Sequence, residues 1–286
     1  MLNCVIVVWF NPKKEHIDNI ISLNEACDFV CVVDNSYQSN EKLLVSSSVK
    51  YIHNRNQGGI AGAFNRGFDY FISKFEEPMI YSFDQDTVVP ANFFEEMAHF
   101  IKDKNAKIAC PNFFDINAKT HGKFVKMSDW GFFESDDDTT HFCISSGMFI
   151  SKETYKLLGG FNEELVIDHV DTEFALKAYE NGIKIFYNKN VCLNHAIGER
   201  EKRKFLGVTI KPNHHSKVRK YYIARNGTYL AFKYIKQCKA YFVLNVARMI
   251  HEYLSVILYE NDKLRKISAM NKGLFDAVRG RLGPLK

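Results

Sequence analysis

The sequence predicts an alternating α/β domain, built on a mostly parallel sheet with helices on both faces, followed by a basic helical region. Three observations carry that reading. Short apolar runs recur without polar alternation, as strands buried on both faces require. Helix-length segments separate them, which implies right-handed crossover connections. Charge is split along the chain: residues 1–200 hold 19 Lys and Arg against 28 Asp and Glu, whereas residues 201–286 hold 19 against 5.

The elements follow in order. Asn3-Cys4-Val5-Ile6-Val7-Val8-Trp9 reads as the first strand, broken by Asn11-Pro12, with a short helix over 13–26. Phe29-Val30-Cys31-Val32-Val33 is a second strand ending on Asp34-Asn35-Ser36, and a third is expected near 49–52. Asn56-Gln57-Gly58-Gly59 opens a helix that runs through Phe75. Met79-Ile80-Tyr81-Ser82-Phe83 is a buried strand ending on Asp84-Gln85-Asp86. A helix over about 91–103 leads to a strand near 106–111, and residues 112–140, acidic around Asp136-Asp137-Asp138, read as an irregular excursion. Phe142 to Ser151 reads as a strand carrying Ser145-Ser146-Gly147. Gly159-Gly160-Phe161-Asn162 is a turn, Asp171 to Asn181 a helix closed by Gly182, and 184–187 a last strand.

The region from about 216 to 260 reads as helical. Phe242, Val246, Met249, Ile250, Tyr253 and Ile257 share one face, interrupted by Arg248, His251 and Glu252. Such a helix is too polar to span a bilayer but could lie on an inner membrane surface, with Lys233, Lys236 and Lys239 at lipid phosphates. Docking onto the α/β domain, or onto a second copy in a homodimer, accounts for the same stripe. We therefore expect residues 1–215 to form the α/β domain and 216–286 a helical appendage.

Composition bounds the function further. Seven scattered cysteines without metal spacing argue for reduced thiols in a cytoplasm rather than a disulfide framework or zinc site. The residues up to Pro12 carry too short an apolar run for a signal peptide, and no run of about 18 apolar residues occurs. The basic tail fits an anionic partner, but the acidic first two thirds argue against a continuous nucleic-acid track.

Ligands of open α/β sheets bind at the carboxyl ends of the strands, and several polar clusters fall there. Asp34 can accept hydrogen bonds from a nucleobase or ribose. Asn56 and Gly58 open a helix with exposed amides, an anion-friendly arrangement. Asp84 and Asp86 offer hard oxygen ligands suited to Mg²⁺ or Mn²⁺ beside a diphosphate, although Asp is also common in plain turns. His195 follows a later strand and could give a nitrogen to the same ion. A second carboxylate cluster, Asp168-His169-Val170-Asp171-Thr172-Glu173, either stabilises a helix start or supplies a general base for an acceptor hydroxyl. His214, His215, Lys217 and Arg219 form a basic run that could close on a diphosphate or remain an exposed loop.

These blocks, in this order, resemble glycosyltransferase family 2. Val5-Ile6-Val7-Val8, Val32-Val33-Asp34-Asn35-Ser36, Asn54-Arg55-Asn56-Gln57-Gly58-Gly59-Ile60-Ala61 and Phe83-Asp84-Gln85-Asp86-Thr87 match its successive motifs. Ser145-Ser146-Gly147, Gly159-Gly160-Phe161, Ile167 to Glu173 and Asn194-His195 continue the match. The Asp-Gln-Asp form and Tyr221-Tyr222-Ile223-Ala224-Arg225-Asn226 are most similar to the bacterial rhamnosyltransferase branch. The resemblance implies a GT-A fold and an inverting, metal-dependent transfer, with dTDP-rhamnose as donor and a lipid-linked saccharide as acceptor. By position it implies that Asp34 reads the base, Asp84 contacts ribose or metal, and Asp86 and His195 hold the metal. Asp171 would be the base and Glu173 its neighbour at the acceptor; Asp168 has no clear family role and stands in reserve, and Arg219, from the basic run, is a candidate donor contact. Trp9-Phe10-Asn11 departs from the family's usual Thr-Tyr-Asn after the first strand. Another donor, such as UDP-galactofuranose or a UDP-hexose, is the nearest alternative. A Rossmann oxidoreductase lacks its Gly-x-Gly-x-x-Gly here, since the first turn reads Phe10-Asn11-Pro12-Lys13-Lys14. A binding protein that kept the fold without catalysis would have lost an acidic residue that this chain retains.

Overall fold

The computed structural model describes residues 2–44, 48–117, 119–195, 201–205 and 207–285, apart from the side chains of His195, Phe205 and Val208. The chain begins with β1 (Leu2–Trp9), α1 (Lys14–Ala26), β2 (Phe29–Asp34), β3 (Lys50–His53), α2 (Gly59–Lys74), β4 (Pro78–Asp84), α3 (Phe93–Lys104) and β5 (Ile108–Asp115). Short strands β6 (Thr120–His121), β7 (Val125–Met127), β8 (Phe132–Glu134) and β9 (Thr139–Thr140) follow. Then come β10 (Met148–Ile150), α4 (Lys152–Leu158), α5 (Val170–Glu180), β11 (Ile185–His195), β12 (Arg203–Phe205) and β13 (Val208–Ile210). Three helices close the described chain: α6 (Lys217–Lys233), α7 (Lys239–Tyr259) and α8 (Lys263–Val278).

The main sheet runs β3-β2-β1-β4-β10-β5-β11-β9, with β6 paired to β5. Strands β1 to β4 are parallel to their neighbours, as are β5 and β11, while β10 lies antiparallel between β4 and β5. The carboxyl ends of β2, β4 and β11, with Asp34, Asp84 and His195, therefore share one edge.

Alternation along β1 explains its unbroken apolar run. Cys4, Ile6 and Val8 pack toward Phe64, Phe68 and Phe71 of α2, whereas Val5, Val7 and Trp9 pack toward Ile20 and Leu23 of α1 and Phe93 and Met97 of α3. A strand covered on both faces has no polar side to show. Helix ends follow their local chemistry: the Ser151 hydroxyl accepts from the Thr154 amide at the start of α4, and left-handed Gly159 ends it.

Several expectations are corrected. Residues 112–140 are not one irregular excursion: β5 continues to Asp115, β7 and β8 form a hairpin, and β9 joins the sheet edge. Only Met148–Ile150 of the expected 142–151 strand is extended, because Ser145-Ser146-Gly147 turns to place the Gly147 amide on the Ser82 carbonyl. The last strand reaches His195 through a register shift between Asn188 and Cys192. The tail breaks between α6 and α7 and gains the unexpected α8.

The expected boundary at 215/216 falls in the loop before α6, but the core crosses it. Leu230, Ala231, Tyr234, Ala240 and Tyr241 share a cluster with Cys4, Phe64 and Phe174. Ile223, Ala224, Met249, Val256 and Met270 form a smaller core among the three last helices. At its centre the ammonium of Lys220, fully buried, donates to Asn213, Glu252 and Glu260, and Lys266 pairs with the other Glu260 oxygen. A buried cation so completely paired avoids the cost of an unmatched charge.

Candidate active site

Asp84 ends β4, so its side chain stands at the sheet edge. The turn after it is pinned from both sides. Gln85 accepts from the Phe10 amide at 2.8 Å and its own carbonyl accepts from Asn19. Thr87 exchanges a 2.6 Å hydroxyl contact with Ser146. Asp84 is half-buried and Asp86 exposed. An isolated antiparallel bridge between Val88 and Asn194 brings the end of β11, and with it the backbone of His195, beside this turn. The His195 side chain lies outside the described residues. Among the described residues no three His, Cys, Asp or Glu side chains converge as a ready metal cage. Two adjacent carboxylates at one edge nonetheless fit Mg²⁺ or Mn²⁺, which commonly take one or two protein carboxylates and complete their shell with phosphate and water.

The second carboxylate cluster lies near the same edge, where the charge of Asp84 reaches Asp171 and Arg219. Asp171 lies in the first turn of α5, where its Oδ1 accepts from the Thr172 amide at 2.7 Å. Burial pushes its pKa up to about 6 against the pull of the Thr172 amide and Arg248, and the negative charges of Asp84 and Asp168 push it the same way as burial. Burial therefore outweighs the helix dipole that an acid at this position ordinarily enjoys. Asp168 is locked by Arg219, whose Nη2 and Nε donate to its two oxygens at 2.6 and 3.2 Å. Ser216 starts α6 by accepting from the Arg219 amide, which sets Arg219 in the first turn beside Asp168. Burial works against the Arg219 charge, but Asp168, Asp84 and Glu252 together hold it more firmly protonated than usual. Asp84 thus acts by its charge on both Asp171 and Arg219, as does Asp168.

Other expected site residues are placed differently. The Asp34 carboxylate is fully buried, and its oxygens accept from the Ser36 amide, the Asn40 amide and side chain, and the Tyr51 hydroxyl at 2.6 Å. Burial raises its pKa, yet these bonds outweigh burial and hold it below the usual carboxylate range. In this structure Asp34 organises the 36–40 loop. The glycines beside Asn56, expected to open the helix, pack closely against the 163–166 segment. A Cβ on Gly58 would stand 2.2 Å from Glu163, and one on Gly59 2.0 Å from the Val166 carbonyl. That carbonyl accepts from the Ile60 amide at 2.8 Å. The glycine pair is required by close packing against the Glu163 side chain and the Val166 backbone. Glu173, paired in sequence with Asp171, points away from solvent: it is fully buried and held by Lys177, Lys233 and Tyr234. This also commits the Lys233 ammonium to a carboxylate rather than to lipid.

Two features were missed from sequence. Arg248 on α7 contacts His169 at 3.4 Å and lowers the Asp171 pKa by its charge. Burial, reinforced by Arg248, holds the His169 imidazole neutral, with a pKa of about 3. The signal was the set of polar residues Asn245, Arg248 and Glu252 at helical spacing, which marks an inward polar strip rather than a flaw in the apolar face.

Comparison with known proteins agrees with this geometry. The sequence matches the description of Glycosyl transferase family 2 over residues 4–158. It is 31% identical over 291 residues to the dTDP-rhamnosyl transferase RfbF of Shigella flexneri, covering 97% of this chain and 96% of that protein. The fold resembles S. aureus TarS 1-349 in complex with UDP-GlcNAc, with a TM-score of 0.57 at 17% identity over 97% of this chain and 82% of that one. It also resembles GalNAc-T7 with UDP, GalNAc and Mn²⁺, with a TM-score of 0.55 at 14% identity over 88% and 54% of the two chains. The chain is a GT-A-fold glycosyltransferase and belongs to glycosyltransferase family 2.

Proposed function

We propose that the protein transfers rhamnose from dTDP-rhamnose, with inversion, to a hydroxyl of a lipid-linked or growing cell-surface saccharide. The observation that carries the reaction is the half-buried Asp171, its pKa raised to about 6, close enough to Asp84 and to the Asp168–Arg219 pair to feel the charges of both carboxylates. The donor is supported by the full-length similarity to a protein named as a dTDP-rhamnosyl transferase.

Asp171 accepts the proton of the acceptor hydroxyl as that oxygen bonds to the sugar carbon. The bond from that carbon to the diphosphate breaks, and its electron pair leaves on the phosphate oxygen. A base with pKa near 6 is ionised at neutral pH yet still basic enough to take the proton in the transition state. Arg219 supplies fixed positive charge toward the leaving group. Asp84 and Asp86, with His195 at the neighbouring strand end, would hold a divalent ion, and when bound that ion neutralises the departing diphosphate.

The acceptor side of the reading rests on the last helices. Among the described residues no helix is long and apolar enough to cross a membrane. Val246, Ile250, Leu254 and Ile257 are exposed along α7, beside an apolar groove of about 500 Å³ lined by Phe232, Phe242 and Met249. With the excess of basic residues beyond residue 200, this supports a peripheral position on the cytoplasmic face of a membrane that carries the acceptor. A homodimer through these helices would bury the same groove.

The test is a thermal-shift panel of dTDP-rhamnose, UDP-galactofuranose and UDP-hexoses with and without Mn²⁺. A donor present at about 100 times its Kd stabilises the folded state by about 2.7 kcal/mol. The reading requires dTDP-rhamnose to give the largest, Mn²⁺-dependent shift and release of dTDP. A larger shift with a UDP-sugar reassigns the donor, and no shift with any donor refutes the proposal.

A further inference from the structure

The segment from Glu164 to His169 has an unfavourable backbone. Val166, Asp168 and His169 have φ of 67°, 61° and 62°. A β-branched valine in that region is an outlier, and such residues cost about 1–3 kcal/mol each unless their surroundings hold them. It is held by scattered single bonds rather than a ladder: the Glu164, Leu165, Val166 and His169 carbonyls accept from the amides of Gly283, Ile167, Ile60 and Glu173. Yet it carries Asp168 and leads directly into Asp171.

Three consecutive residues of α6 meet it. Arg225 is almost fully buried and stacks on the Tyr222 ring, 4.8 Å from its centroid. Its Nη2 donates to the Glu164 and Leu165 carbonyls at 3.1 and 3.3 Å, its Nη1 to the Gly283 carbonyl, and its Nε to the Asn226 Oδ1 at 2.8 Å. That last bond fixes the amide of Asn226 so that its Nδ2 faces the segment. Nδ2 then donates to the carbonyls of Leu165, Ile167 and Asp168 at 2.9, 2.8 and 2.9 Å. Gly227 follows, and a Cβ there would stand 3.0 Å from the His169 ring and 2.4 Å from Asn245. On the other side, the Val166 carbonyl accepts from Ile60 at the start of α2.

We propose that Arg225 and Asn226 are positioning residues: they hold the 164–168 backbone in the conformation that aims Asp168 and Asp171 into the cleft. The proposal rests on the assignment of Asp171 as the base. It makes α6 a working part of the active site rather than an appendage. A guanidinium and an amide suit the task because together they present several donors in fixed directions to the carbonyls of an irregular segment, adding to its single backbone bonds.

The test compares whole-protein Asn226→Ala with Lys266→Met, a buried-charge variant on α8 that lowers stability without touching the segment. Hydrogen–deuterium exchange is followed in a peptide covering 163–170 and in one covering β4. Turnover is read as dTDP released from dTDP-rhamnose with water as acceptor, and dTDP binding by calorimetry. In Asn226→Ala, exchange at 163–170 should rise about tenfold while β4 stays protected, as for local rather than global opening. Turnover at saturating donor should fall at least about tenfold, with KM and dTDP affinity within about threefold, because the loss lies in the base and not in donor binding. Lys266→Met should show neither change. Should Asn226→Ala not fold, Asn226→Ser, which keeps one donor, is read by the same criteria. Unchanged exchange at 163–170, an equal rise in Lys266→Met, or full turnover in a folded Asn226 variant overturns the proposal. A wild-type protein that releases no dTDP refutes the glycosyl-transfer reading instead, and the exchange comparison still decides the clamp.

Discussion

Replacing Asp171 by Asn should make the protein more stable and inactive at once. Burial moves this carboxyl from 3.8 to about 6, so its ionised form is disfavoured in the folded state. At about 1.4 kcal/mol per pH unit that amounts to ~3 kcal/mol, and partial hydration of the half-buried group reduces it to about 1.5 kcal/mol. The sign follows from proton binding: between 3.8 and about 6 the folded state binds more protons than the unfolded state, so stability falls as pH rises through that window. The penalty is complete above about 6 and absent below 3.8. Asn copies the protonated acid and can still accept from the Thr172 amide. The variant should therefore melt about 3–6 °C higher at pH 7.5, with the gap closing toward pH 4. Sugar transfer should be abolished with dTDP binding retained, and wild-type turnover should rise with pH through about 6. Parallel melting curves at several pH values, a transfer assay and calorimetry read all of this. A variant less stable at pH 7.5, a gap independent of pH, or residual turnover would refute the reasoning.

Three further outcomes are expected. Asp86→Ala should abolish the Mn²⁺ dependence of dTDP binding, seen by titration with and without chelator; an unchanged dependence removes Asp86 from the metal site. Gly59→Ala puts a Cβ 2.0 Å from the Val166 carbonyl at a φ of 62°, and should cost on the order of 2–4 kcal/mol in denaturant unfolding; a neutral effect would contradict the packing of α2 against the 163–166 segment. Ile250→Asp with Leu254→Asp should reduce flotation with anionic liposomes while leaving dTDP binding intact, and an unchanged flotation profile would leave the exposed face of α7 to a second subunit.

The order of elements and the edge they share were determined locally. Val5, Val7 and Trp9 alternate with Cys4, Ile6 and Val8 as apolar residues throughout, which only a strand covered on both faces requires. Once the strands are parallel, Asp34 and Asp84 must end at one edge, and that much was legible without coordinates. Tertiary structure decided which groups remain available to a ligand. Asp171 and Glu173 sit two residues apart, yet the helix carries one into the charges of Asp84 and Arg248 and the other onto Lys177 and Lys233. Gly58-Gly59 carries the composition of an anion cradle, and the structure shows what its missing side chains make room for: the Glu163 side chain and the Val166 carbonyl. Arg225 and Asn226 were visible only as letters in a motif, because their partners are carbonyl oxygens, which every residue has and no sequence distinguishes. Periodicity encodes which face of an element is buried; the distant backbone that meets that face depends on how the chain is folded in three dimensions.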